Sequence, residues 1–153
     1  TNSKKERVEM LAEYKNILVP VDGSGQSEDS FKKAVAIAKR NNAALHLIYV
    51  KDTRNVPLSP EYESRLTEAY KDMEYEFLDE MMTFALNEGI EVKKSVTNGN
   101  PMTLIAEAFP KEYNIDLIVI GATGKGAITR AFVGSVSNYV VRHAPCDVLV
   151  VRT

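Results

Sequence analysis

The chain has 153 residues, a length that fits one compact domain whose hydrophobic core holds without disulfides or a structural metal. Hydrophobic residues make up 44% and charged residues 26%, far from a disordered composition. With 19 Lys and Arg against 21 Asp and Glu the net charge is -2, which excludes capture of nucleic acid or anionic lipid by bulk charge. One cysteine, Cys146, forms no internal disulfide, and no Cys/His cluster has zinc spacing. A reducing, cytoplasmic setting is expected. No apolar run approaches the roughly 18 residues of a membrane span, so membrane insertion and secretion are disfavoured. Residues 1–13 read as an N-terminal tail and residues 14–153 as a single domain.

In chain order, Ile17 to Val21 is a short apolar run that meets Asp22-Gly23-Ser24-Gly25, a buried strand ending in a turn. Phe31, Ala34, Val35 and Ala38 then share one helical face, and Asn41-Asn42 stops that helix. Ala44 to Val50 is a second strand. Ser59-Pro60-Glu61 combines a cap, a first-turn proline and an acid, a strong helix start. Leu66, Tyr70, Met73, Phe77, Met81 and Phe84 recur at helical spacing until Gly89. Ile90 to Val96 is a third strand, less apolar and so nearer an edge. Asn100-Pro101 caps a helix carrying Leu104, Ile105, Ala108 and Phe109, which Pro110 should bend or end. Leu117 to Ile120 is a fourth strand, broken at Gly121-Ala122-Thr123-Gly124. Gly134-Ser135 opens a helix through Arg142, and Val148 to Val151 is the fifth strand.

Apolar strands alternating with helices imply an α/β fold: a parallel sheet covered on both faces, hence a three-layer open sandwich. Ligands of such folds bind beyond the strands' carboxyl ends, where the strand order reverses. Gly, Ser and Asp gather just past strands 1 and 4, so these two should be neighbours at that reversal.

The informative spacing is Gly121-x2-Gly124-x9-Gly134-Ser135-x-Ser137. Glycines allow a ligand to approach the backbone, and Gly134-Ser135 stands at a helix N-terminus, where unpaired N–H groups favour anions. Ser135 and Ser137 add hydroxyls. The pattern predicts a phosphate cradle. Residues 117–146 contain no Asp or Glu but carry Lys125, Arg130 and Arg142. That stretch is locally +3, which leaves -5 for the remainder. Lys125 and Arg130, between the glycines, are candidate phosphate contacts. A dinucleotide fingerprint would need glycine at Glu28, and a P-loop would need Lys and Ser or Thr where Ala127 and Ile128 stand.

Pro20-Val21-Asp22-Gly23-Ser24, the glycine pattern, and His143-Ala144-Pro145-Cys146 leading into Val148-Leu149-Val150-Val151-Arg152 resemble the universal stress protein family over about residues 15 to 152. The glycine spacing resembles that family's ATP-binding branch. The resemblance implies a Rossmann-like, adenine nucleotide hydrolase-type sheet of order 3-2-1-4-5 and a cytoplasmic homodimer serving stress adaptation. It implies ATP as ligand, with Mg2+ as its companion ion. Pro20, Val21 and Asp22 would line the adenosine end, with Asp22 near the ribose or the metal, and Val50 would meet adenine. Gly121, Thr123, Gly124, Gly134, Ser135, Val136 and Ser137 would hold ribose and phosphates. Strand 5 (Val148, Leu149, Val150, Val151) would otherwise leave an apolar edge; a two-fold partner covers it, and the resemblance points the same way.

Three functions compete: a nucleotide-dependent regulatory dimer, a slow ATPase or phosphotransferase, and an interaction dimer with a vestigial pocket. Hydrolysis needs a group that positions water beside the γ-phosphate. Asp22 is the sole acid that the motifs bring to the pocket, so no catalytic residue is assigned and turnover is expected to be weak or nil. His46 reads as a half-buried strand residue, His143 as a cation at a helix end, and Cys146 as a small unreactive one.

Overall fold

The computed structural model describes residues 13–53, 76–123 and 133–152. The strands are β1 (Asn16–Val21), β2 (Ala44–Asp52), β3 (Val92–Gly99), β4 (Leu117–Gly121) and β5 (Asp147–Val151). They form one parallel sheet in the order β3-β2-β1-β4-β5. Helix α1 (Gly25–Asn41) follows β1, and α2 (76–87) precedes β3. Segments Pro101–Thr103, Leu104–Ala108 and Phe109–Glu112 run on as one helix, α3, and α4 (Ser135–His143) precedes β5.

The strand period of two sorts the core into two layers. Ile17, Val19, Val21, Leu45, Leu47, Leu117 and Val119 face α1 and α2, where they pack with Phe31, Ala34, Val35, Leu78 and Ala85. Leu18, Ile48, Ile118 and Ile120 point the other way, onto Ile105, Ala106, Phe109 and Val140 of α3 and α4. Both faces of β1 and β4 are therefore buried, as expected for a doubly covered parallel sheet. The expected neighbourhood of strands 1 and 4 is present, with Ile17 beside Leu117 and Leu18 beside Ile118.

Helix α1 starts where the Ser27 N–H donates to Ser24 Oγ at 3.1 Å. It stops at Asn42, which adopts the left-handed conformation at φ 54° that asparagine tolerates better than most residues. In α2, Leu78 and Ala85 are fully buried, flanked by Phe77, Met81 and Met82. Phe84 lies at the margin, 41% exposed, with its edge on Phe31. The expected helix start at Ser59-Pro60, with Leu66, Tyr70 and Met73, lies outside the described residues.

One expected boundary moves. The third strand runs from Val92 to Gly99 rather than from Ile90 to Val96. Ile90 instead plugs the core, and pairing with β2 carries the strand on until Asp52 meets Gly99. It is an edge strand, as expected. Pro110 does not end its helix at once, because helical structure continues to Glu112. The chain accommodates the proline through a π-helical turn in which the Phe109 N–H reaches back five residues to the Leu104 carbonyl. That widening lies ahead of the ring, which has no N–H to give and would crowd the carbonyl four residues back.

Candidate functional site

Strand order reverses between β1 and β4: the chain leaves β1 for β2 on one side, while β4 and β5 lie on the other. In open sheets of this kind the carboxyl ends of two such neighbouring strands are where a ligand crevice forms. The Asp22 turn follows β1 at that end, and the Thr123 segment follows β4.

On the β1 side, Asp22 Oδ1 accepts from the Ser24 N–H at 2.9 Å. The Asp22 N–H donates to Ser27 Oγ at 3.3 Å, and the Ser27 hydroxyl donates to the Ser24 carbonyl at 2.9 Å. Gly23 at φ 82° makes the turn possible, since a Cβ would be strained there. Asp22 thus has one oxygen engaged in shaping its own turn.

On the β4 side, the Ala122 N–H continues the pairing to the Val151 carbonyl at 2.9 Å, and the Gly134 N–H donates to the Ala122 carbonyl at 2.7 Å. That bond seats the α4 N-terminus against the end of β4. A Cβ on Gly121 would meet the Thr123 carbonyl oxygen at 3.3 Å and the Gln26 carbonyl oxygen at 3.5 Å. A Cβ on Gly134 would meet the Ala122 carbonyl oxygen at 3.4 Å. Gly121 therefore lets the end of β4 close on its own following turn and on the first turn of α1, whereas a Cβ at Gly134 would stand in ordinary contact with the end of β4. The Ser137 hydroxyl is buried and donates to the Gly121 carbonyl at 2.6 Å. Gly134 caps α4 without a side chain, so the N–H groups of Ser135, Val136 and Ser137 have neither a side-chain cap nor an intrahelical acceptor. Their dipole and donors suit an anion.

Gln26 was not singled out by any sequence signal. Its Oε1 accepts from the Thr123 N–H at 3.0 Å and also from the Thr123 hydroxyl. It thereby ties the first turn of α1 to the end of β4. A lone glutamine in a helix has no spacing that would mark it, and its partner is 97 residues away.

Of the expected contacts, Thr123 and Gly134 are brought together, a Cβ on Gly134 lying 3.6 Å from the Thr123 Cα, and Ser135 follows as the exposed first residue of α4. Thr123 is itself buried, Asp22 is tied to the first turn of α1 through Ser24 and Ser27, and Val136 is partly buried against the α3 side of the core. Pro20 and Val21 are buried in β1, and Val50 is half-buried near the end of β2, on the same side of the sheet as Ile48. Gly124, Lys125 and Arg130 lie outside the described residues. Arg142 does not belong to the cradle. It sits in the last turn of α4, seven residues and about 10 Å of helix from Ser135, where a cation complements the C-terminal dipole.

The minor features have structural roles. His46 is buried and stacked on Tyr113, 4.9 Å between ring centres, and Tyr113 stacks in turn on Phe109. Burial, with help from Lys93, holds the imidazole below its usual pKa. His143 packs against Tyr139 in the last turn of α4. Burial and the neighbouring Asp147 and Asp116 push the Cys146 thiol up to about 11, which keeps it protonated and poorly nucleophilic. Among the described residues no group of three His, Cys, Asp or Glu side chains could hold a metal, and no helix is long and apolar enough to cross a membrane.

The model of the universal stress protein family matches residues 13–152. The chain belongs to the universal stress protein family. A universal stress protein of Staphylococcus aureus strain USA300 is 44% identical over 141 residues, covering 92% of this chain and 85% of the relative. Universal stress protein UspA from Lactobacillus plantarum is 36% identical with a TM-score of 0.82, covering 92% of this chain and 99% of that one. A universal stress protein solved in complex with cAMP is 26% identical with a TM-score of 0.66, covering 91% of this chain and 97% of that one.

Proposed function

We propose that this universal stress protein binds an adenine nucleotide, ATP with Mg2+ as companion ion, and acts in the cytoplasm as a nucleotide-dependent regulatory homodimer. The observation that carries the reading is the junction of β4 with α4. There Gly121 allows a close backbone approach, the Gly134 N–H seats the start of α4 on the Ala122 carbonyl, and the uncapped N-terminus of α4 offers N–H groups beside the Ser135 hydroxyl. That donor set fits a polyphosphate, which brings several anionic oxygens and no donors of its own. The relative that holds cAMP supports an adenine nucleotide as the ligand class.

In this reading Gly121, Gly124, Gly134, Ser135, Val136 and, through its backbone N–H, Ser137 form the phosphate side of the site, with Lys125 and Arg130 as further phosphate contacts. Pro20, Val21, Asp22 and Val50 form the nucleoside side, and the other oxygen of Asp22 takes a ribose hydroxyl or the ion's hydration shell. Binding rather than turnover is favoured, because Asp22 already has one oxygen committed to the Ser24 N–H and is the one acid the motifs bring to the crevice. Ligand occupancy would bias the conformations available around the site and so alter a surface that partners read. The apolar edge of β5 (Val148, Leu149, Val150, Val151) supplies the dimer contact.

Equilibrium titration of the purified chain with ATP tests the reading. Saturable binding that is weakened in Ser135→Ala is expected, since that change removes the exposed hydroxyl beside the N–H groups at the start of α4. Undetectable binding of ATP by the unaltered protein overturns it. Repeated turnover abolished by Asp22→Ala would replace it with the enzyme reading.

A further inference from the structure

We infer that Gln26 sets the chemical sense of the Thr123 hydroxyl, making it an acceptor that reads a ribose hydroxyl rather than a donor that holds phosphate. The inference rests on the nucleotide-binding reading above and deepens it. The orientation of the Gln26 amide follows from its partner. The Thr123 N–H, a group that can only donate, lies 3.0 Å from Oε1, and the amide nitrogen in that place would set two donors face to face. The same oxygen receives the Thr123 hydroxyl. A threonine hydroxyl has one proton, and here Gln26 takes it.

What Thr123 Oγ1 keeps is its remaining acceptor capacity. A phosphate oxygen is itself an acceptor at neutral pH, so the two repel; a ribose 2′ or 3′ hydroxyl brings the proton that Thr123 can no longer supply. Ser137 is committed in the same way, because its hydroxyl proton goes to the Gly121 carbonyl, which can only accept. Ser135 is exposed at the first position of α4 and has no such internal acceptor among the described residues. The three hydroxyls that the motif places together therefore divide by chemistry. Ser135 is a donor for phosphate, Ser137 is structural, and Thr123 is an acceptor for sugar. Gln26 is a positioning residue, which acts on the ligand through Thr123.

The test is calorimetric titration of the full chain with ATP, 2′-deoxy-ATP and 3′-deoxy-ATP. The quantity read is the ratio of the ATP affinity to that of each deoxy analogue, so that losses common to all three ligands cancel. One lost hydrogen bond corresponds to roughly ten-fold. Gln26→Leu and Thr123→Val should each reduce the ratio for one of the two analogues by about that factor. The double variant should be no worse than either single one, since both act through one contact. Gln26→Glu keeps an acceptor at the same reach and should preserve the ratio, whatever its charge costs all three ligands. Ratios unchanged in both Gln26→Leu and Thr123→Val overturn the inference while leaving nucleotide binding intact. Failure of the unaltered protein to bind any of the three overturns the nucleotide reading and this inference with it. If Gln26→Leu does not fold, Thr123→Val and Gln26→Glu decide.

Discussion

The hydroxyl of Ser137 donates to the carbonyl of Gly121 across 2.6 Å, so the second serine of the motif braces the end of β4 against the first turn of α4. Ser135, two positions earlier, is exposed and its hydroxyl has no internal acceptor among the described residues. Two serines of one motif thus carry different loads.

Replacing them should separate those loads. Ser137→Ala leaves a buried carbonyl without its donor and should cost about 1 to 3 kcal/mol, a fall of several degrees in melting temperature for a chain of this size. Ser135→Ala should leave the melting temperature nearly unchanged but weaken ATP binding by roughly 10- to 100-fold, the usual worth of a hydrogen bond to a charged group. Thermal unfolding and titration of the two variants check the division. A Ser135→Ala protein as unstable as Ser137→Ala would contradict it.

The edge of β5 supplies the second test. Leu149 is 37% exposed and Val148 and Val150 are half-buried, an apolar border on the last strand of the sheet of the kind that proteins cover or charge. Under the proposed dimer, Val150→Lys should convert the assembly to monomer in sedimentation velocity while the fold persists. A dimer that survives the substitution would place the interface elsewhere.

His46 makes stability depend on pH. Burial first, then the nearby Lys93, lower its folded pKa, against a smaller opposing pull from Glu91. The unfolded chain therefore binds a proton more readily than the folded one, and stability falls as pH drops below the unfolded value of about 6.5. Above that pH both states are neutral and the residue contributes no slope. His46→Phe, which keeps an aromatic ring against Tyr113, should flatten the stability profile between about pH 7 and 5 in urea titrations. An unchanged slope would show that other groups dominate it.

Much of the fold was legible because strand and helix periods are local. ILVPV and LIVI are apolar at every position and bounded by turn residues, as short strands of a doubly covered sheet are, and those turn residues mark the carboxyl ends where a site can form. Less legible were features that depend on neighbours. The β3 boundary moved because β2 extends to Asp52 and pairing carries β3 with it, and the helix before Pro110 survives because a π-helical turn accommodates the ring. Arg142 raised the local positive charge along the sequence, yet a helix of nine residues carries it to the wrong end of α4.

The amino-acid order by itself determined the five strands, the glycines that allow close approach, and the uncapped helix start that favours an anion, since each follows from local conformational preference. Only the tertiary structure decided which hydroxyls keep a proton to give. A hydroxyl's role is set by its nearest acceptor, and the acceptors here are Gln26, 97 residues from Thr123, and the Gly121 carbonyl, 16 residues from Ser137. Spacing along a chain carries no information about such partners until the sheet has brought them together.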